Sequence, residues 1–521
     1  MPTVHEEVEI KYVAADDFEV PALTELLANS DDDPGVAGDG SGPVAEGEVV
    51  RQRLKATYFD TADLRLGAAG LTLRRRTGGD DAGWHLKVPT ASSTRSEVRL
   101  PLGRSRSAVP KELQQMVRAR SAGQPLVPVA TIDTSRTLRR LLDATGQVLA
   151  EVADDRVCAQ RLPRLDGAGE AAGAESSWRE IEVEVVTGDR KVLAVLDDRL
   201  RERGLRLAPT GSKLAQVLEL DLADGPTPLT GRSTAGEVLL AHLGEQGEQV
   251  RAQDVLVRLD APDSIHKMRV ATRRLRSALT TFKALVQPDV ARPLREELKW
   301  LATVLGDARD AEVMRERVGR ALEADDQQHA QQVDAELEQT YRAAHEQVLA
   351  ALDGERYHRL LTGLQELLGS PPLTKPAQRP ARKALPPLVA RSYTAVRELV
   401  EGAELETDAA QREELLHDAR KTAKRARYAA ESVSQVFGKE AKAFAQAMEA
   451  VQEALGEHQD SVLTRQRLRE LAGTTSSTET AFTYGRLYAL EEARERQTQQ
   501  HVDTAWAAAK KKSLHRWLRQ V

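Results

Sequence analysis

Two sets of side chains in this 521-residue chain have types and spacings suited to chemistry. The first lies in short alternating segments: Glu7-Val-Glu9-Ile-Lys11, Leu71-Thr-Leu73-Arg74-Arg75-Arg76, Trp84-His-Leu86-Lys87-Val88, Arg95-Ser-Glu97-Val-Arg99-Leu100 and Trp178-Arg-Glu180-Ile-Glu182-Val-Glu184-Val. Alternate residues of an extended strand share a face, so the charged groups of each segment stand together. Their density predicts a closed barrel with a charged lumen and an aliphatic exterior. Glutamates sharing a lumen repel unless cations neutralise them, and hard divalent ions prefer carboxylate oxygen. Lumenal Arg and Lys would bind phosphate oxygens. Carboxylates for metal and cations for phosphate are the equipment of metal-assisted phosphoryl transfer.

The second set occurs twice. His266-Lys-Met-Arg269-Val-Ala-Thr-Arg273-Arg274-Leu-Arg276 returns as His417-Asp-Ala-Arg420-Lys-Thr-Ala-Lys424-Arg425-Ala-Arg427. At about 100° per residue, His266, Arg269, Arg273 and Arg276 fall within roughly 80° on a helix, and so do their counterparts. A cationic face of this kind suits a long polyanion. One such face is ordinarily just solvated, but its return with the same spacing argues for a shared role. Neither His266 nor His417 has a His or Cys partner at ligand spacing, so both read as anion contacts or structural histidines, not metal ligands.

The elements that must position these residues differ between the two parts of the chain. Residues 1–220 read as strands and turns, with helices around Val20–Leu27 and Arg190–Arg203 and loops at Asn29–Gly47 and Asp166–Ser177. Residues 221–234 read as a linker. Residues 235–521 are rich in Ala, Leu, Glu and Arg and read as helical throughout. The proline-rich segment Ser370–Pro380 splits that region into repeats of about 235–369 and 381–521. Each repeat carries the His/Arg helix and a later echo, Leu305-Gly306-Asp-Ala-Arg309-Asp310 and Leu455-Gly456-Glu-His-Gln459-Asp460. The expected fold class is therefore a multidomain chain, a β-barrel domain followed by duplicated all-α bundles. Asp310 and Asp460 read as groups that orient arginines or cap helices.

Composition sets limits. A net charge of −6 excludes a generally nucleic-acid-coating protein, so any polyanion binding must be local. Aromatics are only 4%, which disfavours single-stranded nucleic acid, whose binders use stacking platforms; a phosphate chain, charged at every unit and without bases, fits better. The single Cys158 excludes an internal disulfide framework. No signal-peptide pattern and no apolar run of membrane-spanning length is visible, so a cytoplasmic protein with no membrane association is expected.

The first set, with Tyr58-Phe59-Asp60-Thr61 and Trp84-x-Leu86-Lys87-x-Pro89, resembles the CYTH family, the triphosphate tunnel metalloenzymes, over about residues 4–218. The resemblance implies an antiparallel eight-stranded β-tunnel that hydrolyses triphosphates, or in a minority of members cyclises ATP. It implies that Glu7, Glu9, Glu180 and Glu182 hold Mg²⁺ or Mn²⁺, that Lys11, Arg74, Arg76, Lys87, Arg136 and Lys213 grip the triphosphate, and that Glu184 coordinates metal or activates water. Lys55, Arg53, Arg99 and Asp155 are further lumen residues on this reading. Some relatives carry an additional Arg where this chain has Asp133 or Ser135.

The second set, with Leu298-Lys299-Trp300-Leu301 and Leu305-Gly306-x-x-Arg309-Asp310, resembles the CHAD domain, the conserved-histidine α-helical domain, over about 235–520. That family binds inorganic polyphosphate. The resemblance implies a polyphosphate site built from His266, Arg269, Arg273, Arg274, Arg276, Lys299, Arg309, His417, Arg420, Lys424, Arg425 and Arg427. The expected function is a metal-dependent triphosphatase joined to a polyphosphate-binding domain. The alternatives are a non-catalytic scaffold at polyphosphate granules and a class IV-type adenylate cyclase.

Overall fold

The computed structural model describes residues 3–27, 43–90, 94–103, 108–163, 173–187, 190–220, 229–322, 327–474 and 478–519. The chain divides into two compact units, Met1–Gly225 and Pro226–Val521.

The strands of the first unit are β1 (Thr3–Val13), β2 (Pro43–Glu46), β3 (Val50–Asp60), β4 (Thr72–Thr77), β5 (Gly83–Pro89), β6 (Thr94–Leu100), β7 (Val127–Asp143), β8 (Val148–Arg161), β9 (Ser176–Val185) and β10 (Arg206–Leu207). Eight of them run β1-β6-β5-β4-β3-β7-β8-β9 in antiparallel order, and β9 pairs back onto β1 to close the barrel. Closure leaves β1–β9 and β1–β6 as neighbours along different stretches of β1, residues 8–13 and 3–8 respectively. β2 and β10 are additions to β7 and β1.

Alternation decides what goes where. Tyr12, Leu141, Val152, Ile181 and Val183 point outward. The helix Arg190–Glu202 covers them with Val192, Leu193, Leu196 and Leu200. Inside, one end of the barrel is filled by Ala56, Tyr58, Ala130, Ile132, Val157 and Ala159 under Leu214 of the helix Lys213–Val217. The charged lumen is what remains.

Several expectations need correction. Within the stretch expected to be a loop from Asn29 to Gly47, Pro43–Glu46 forms β2. Glu46 anchors it by accepting from Arg139 at 3.0 Å and from the Leu23 backbone N–H at 2.9 Å; residues 28–42 lie outside the described residues. Ser176 and Ser177, expected in a loop, begin β9, and residues 164–172 lie outside the described ones. The expected early helix is only Leu23–Leu27. Of the linker, residues 221–228 lie outside the described part.

The second unit is helical. Its first repeat runs through Ala235–Arg258, Ser264–Thr281, Pro288–Leu322, Gln327–Asp353 and Glu355–Gly369. Its second runs through Pro386–Leu405, Ala409–Ser432, Ser434–Thr474 and Thr478–Ala509. Thr234 and Glu237 form a reciprocal capping box that fixes the first start. Asp408 caps Ala409–Ser432 by accepting from Gln411 N–H at 2.9 Å. The proline-rich segment is no free connection: Thr374 N–H donates to Leu285 O, Gln287 N–H to Pro372 O and Ala235 N–H to Arg379 O, which strap it to the first repeat. No helix among the described residues is long and apolar enough to cross a membrane.

The helix Ala235–Arg258 buries His242, whose Nε2 makes no hydrogen bond. Burial, helped by Arg274, lowers its pKa to about 4. The unfolded chain therefore binds this proton more readily, so the contribution of a neutral His242 is whole above about pH 6.5 and is lost as pH falls toward 4, about 3 kcal/mol at the limit. Melting followed against pH should show the helical transition falling through that window, and His242→Leu should flatten the slope.

Candidate functional site

The lumen is a cavity of about 230 Å³. Nine basic and eight acidic side chains line it, so it is nearly neutral as it stands. The strand register sets acid against base: Lys11 is the partner of Glu182, Lys87 of Glu97 and Arg136 of Asp155. On one wall, Lys213 Nζ reaches Asp155 at 2.9 Å, Glu180 at 2.6 Å and Glu182 at 2.7 Å. Arg136 meets Asp155 through two 2.7 Å hydrogen bonds and Glu182 through one of 2.6 Å. Lys11 lies 2.5 Å from Glu182 and 3.4 Å from Glu9. Burial would lower the Lys11 and Lys213 pKa values, but these carboxylates hold both above the usual lysine range.

On the opposite wall Glu97 is the hub. His85 Nδ1 is 2.9 Å away, Arg74 3.8 Å and Lys87 4.0 Å, and Arg99 Nε donates to it. Despite burial, His85, Lys87 and Arg74 hold its carboxyl far below the usual range. Lys87 also pairs with Glu7 at 2.6 Å. Arg76 faces Asp81, and Arg74 NH1 donates to the Tyr58 hydroxyl at 3.4 Å.

Around Glu184 like charge meets like, as it also does at Asp155 and Glu180, where Lys213 intervenes. Glu184 is the register partner of Glu9 on β1 and of Glu151 on β8. No cation lies within ion-pair distance of Glu184 among the described residues. Burial, then Glu7, raises its pKa to about 7. The buried oxygens Glu7 Oε2, Glu9 Oε1 and Glu180 Oε1 meet lysine ammonium groups, Lys87 at 2.6 Å, Lys11 at 3.4 Å and Lys213 at 2.6 Å, without well-directed hydrogen bonds. This donor set, hard carboxylate oxygens gathered beside a Glu184 that has no cation of its own, fits a divalent cation. Asp155, Glu180 and Glu182 also bring carboxylate oxygens within 4.8 Å of one another and could hold a metal, but the Lys213 ammonium already lies among them. The four glutamates expected to bind metal are therefore split, Glu180 and Glu182 around Lys213, Glu7 and Glu9 toward Glu184.

Lys55 is corrected. Even-numbered residues of β3, Gln52, Leu54 and Tyr58, line the lumen, so Lys55 and Arg53 point outward; the Lys55 side chain is 69% exposed and meets Asp133 at 3.5 Å. Asp133 and Ser135 are exposed on β7 for the same reason, so neither stands where an extra lumenal Arg would. Sequence reasoning missed Glu97 as a hub, with Arg140 and Glu151. The two-residue period that placed Arg136 also places Arg140, and on β8 it links Asp155 to Glu151.

In the second unit the helices Ser264–Thr281 and Ala409–Ser432 pack side by side. Each buries an apolar or small face: Ile265, Met268, Leu275 and Leu279 on one, Leu416, Ala419, Ala426 and Ala430 on the other. The cationic faces form a seam. Burial, with Arg273, Arg269 and Arg420 close by, lowers the Lys424 pKa to about 7. Burial and the same crowding lower Arg273 and His266. Other cations of the seam are engaged: Arg269 with Asp310 at 3.5 Å, Arg309 with Glu312 at 2.7 Å, Arg274 with Glu431 at 2.8 Å, and Arg427 with Glu431 and Glu449, each at 2.7 Å. Lys299 and Arg425 are exposed. His417 Nδ1 meets Gln459, which also accepts from Arg420 at 3.1 Å. The Asp460 side chain lies outside the described part. The echo glycines have a physical reason: a Cβ on Gly306 would come within 3.3 Å of the Arg269 guanidinium, and one on Gly456 within 3.3 Å of that of Arg420.

Lys213→Met would leave three buried carboxylates without their shared ammonium. The N-terminal unit should lose about 3–5 kcal/mol of stability, read as a lower melting transition, and Mn²⁺ should restore part of it by supplying the missing charge.

The CYTH domain model matches residues 44–215 and the CHAD domain model residues 241–469. Two uncharacterized proteins of Mycobacterium tuberculosis, MT2285 of strain CDC 1551 / Oshkosh and Rv2226 of strain H37Rv, are each 38% identical over 461 residues, covering 84% of this chain and 86% of theirs. Among solved structures, PptA from Streptomyces chartreusis is 22% identical with a TM-score of 0.44, over 53% of this chain and all of that one. The CHAD domain from the plant Ricinus communis is 26% identical with a TM-score of 0.42, over 55% and 94%. At such TM-scores these likenesses carry no argument about function. With both domain models matched in order and relatives aligned over most of their length, the chain belongs to the family that joins a CYTH domain to a CHAD domain.

Proposed function

We propose that the tunnel hydrolyses a phosphoanhydride bond of a triphosphate-type substrate with Mg²⁺ or Mn²⁺, and that the helical unit binds inorganic polyphosphate along its basic seam. The observation that carries the first part is the Glu184 carboxyl, without a cation of its own, gathered with Glu7 and Glu9 beside the cations Lys11, Lys87, Arg74 and Arg136.

A nearly neutral lumen does not attract a polyanion strongly, so binding must exchange partners. Carboxylates now paired with lysine and arginine turn to the metal, and the released Lys11, Lys87, Arg74, Arg76 and Arg136 turn to phosphate oxygens. Glu7, Glu9, Glu182 and Glu184 would hold the ion, with Glu180 behind them. Bound there, it supplies Lewis-acid polarisation of the phosphoryl oxygens and neutralises charge in the transition state. The chain's own cations spread along the lumen do the same for the remaining oxygens and orient the terminal phosphorus for in-line attack. Glu184 is the group we assign to take the proton of the attacking water. The water oxygen bonds to phosphorus, the anhydride P–O bond breaks, and its electron pair leaves on the departing phosphate.

The seam supports the second part. Arg273 and Lys424 are crowded by like charge, and an anion relieves that repulsion directly. Because Lys424 sits near pH 7 when unliganded, polyphosphate binding at pH 8 should take up protons.

The deciding assay follows phosphate release from tripolyphosphate, long polyphosphate, thiamine triphosphate and ATP, with Mg²⁺ or Mn²⁺. At least one should turn over; hydrolysis of none, with tight polyphosphate binding retained, sinks the enzyme reading in favour of a holding role. Glu9→Gln should lower turnover by at least 100-fold, the scale of removing a group that stabilises the transition state, and leave polyphosphate affinity unchanged. Arg273→Glu with Lys424→Glu should do the reverse.

A further inference from the structure

The two repeats match in position but not in charge. His417 follows His266 by 151 residues, and Leu455 follows Leu305 by 150. Burial keeps the same register: Leu275 and Ala426 are buried at the first offset, Leu298 and Met448 at the second. By that register Arg276 and Arg427 are equivalent, one on each flank of the seam, and so are Arg274 and Arg425.

Arg427 is tied down. Its guanidinium meets Glu431 and Glu449, and Arg274 occupies the other oxygen of Glu431. The ring of Tyr428 lies under the same cations, 5.4 Å from Arg274 and 5.7 Å from Arg427. The equivalents of Glu431 and Glu449 are Thr280 and Lys299. Thr280 gives its hydroxyl proton to Arg276 O and contributes no charge, and Lys299 adds a cation where the other repeat has an acid. Among the described residues, Arg276 has no carboxylate within ion-pair distance; burial together with Arg425 pushes its pKa down, against a weaker opposing pull from Glu296.

We infer that Glu431 and Glu449 act as a carboxylate stop on one flank of the seam, withholding Arg274 and Arg427 from the polyanion, so that a phosphate chain lies over the Arg273–Lys424 centre and the Arg276–Arg425 flank only. This rests on the polyphosphate-binding reading and gives a pseudo-symmetric site a single preferred side. A chain laid toward Arg427 would have to break two charge-assisted contacts to gain that guanidinium and a third to gain Arg274; laid toward Arg276 it breaks none.

The test is the affinity of the full-length protein for a fluorescently labelled inorganic polyphosphate at several salt concentrations. Arg276→Ala should weaken binding roughly tenfold, the loss of one charge-assisted contact, and Arg427→Ala less than twofold. Glu449→Gln and Glu431→Gln should each tighten binding, and the double variant, which releases Arg274 and Arg427, should steepen the salt dependence by about two contacts' worth. Glu449→Gln touches no pair between the repeats, so it keeps the test valid if Glu431→Gln loosens the fold, which melting will show. Equal losses from Arg276→Ala and Arg427→Ala, or unchanged affinity and salt slope in the glutamine variants, overturn the inference. If the unaltered protein fails to bind polyphosphate, or if Arg273→Glu has no effect, the binding reading itself falls and the stop falls with it; binding lost in Arg273→Glu but unmoved in the glutamine variants removes only the stop.

Discussion

Charge enclosed in a closed barrel must be balanced side by side, because little water reaches it to do the balancing. That constraint organises the first unit. Removing a carboxylate or an ammonium from water costs several kcal/mol, and the cost is recovered only when an opposite charge and hydrogen bonds replace the lost hydration. The antiparallel register provides this one strand pair at a time, with Lys11 against Glu182, Lys87 against Glu97 and Arg136 against Asp155. Lys213, brought in from a helix and not from the barrel wall, satisfies three acids at once. Where acid faces acid the neighbours supply the charge: Glu180 and its partner Asp155 share Lys213, Glu9 has Lys11 and Glu151 has Arg140, whereas Glu184, the partner of Glu9 and Glu151, has no cation within ion-pair distance among the described residues. On the proposed reading that carboxyl is where a bound cation would supply the missing charge.

The helical unit obeys the opposite rule. Its seam lies partly open to solvent, so surplus cation is tolerated, and burial first, with like-charge crowding after it, lowers Lys424, Arg273 and His266. What makes the crowding possible is packing on the other side of each helix. Small residues such as Ala419, Ala423 and Ala426 let the second basic helix lie close to its neighbours, and Gly306 and Gly456 let the following helices pass over Arg269 and Arg420. The favourable burial of one face holds the unfavourable concentration of charge on the other.

Much of this was legible in the sequence. Alternation of Glu7, Glu9 and Lys11 with Val8 and Ile10 identified both a strand and the face that would be enclosed, and the spacing of the two His/Arg helices identified a duplicated cationic surface. Lys55 failed because its strand alternates in the misleading sense: Arg51, Arg53 and Lys55 share a face as well as any lumenal set would, and only pairing with β4 and β7 shows that the face is outside. β2 failed because four residues beside a glycine-rich stretch carry no period. Glu431 and Glu449 could not be found from a motif, since they are where the repeat departs from itself. Which acid meets which base is a property of register across strands, and register is not written in any single segment.

On the proposed reading the two sites would recognise phosphate by different physics. In the tunnel all the lining basic groups but Arg95, which donates to Gly211 O, already have an acidic partner, so the gain on binding would be a difference between old and new pairings, and selectivity would fall to geometry and to the ion that frees the carboxylates. In the seam the central cations Arg273 and Lys424 have no carboxylate partner among the described residues to give up, so affinity for a polyanion would come from relief of repulsion and from release of counterions, and would fall steeply with salt. A net charge of −6 for the chain is compatible with both, because neither depends on the overall field. On that reading a bare polyanion would gain little in the tunnel without a metal, whereas the seam would hold one through charge alone; a chain with only the first would be selective but weakly attractive, and one with only the second would be attractive but without chemistry.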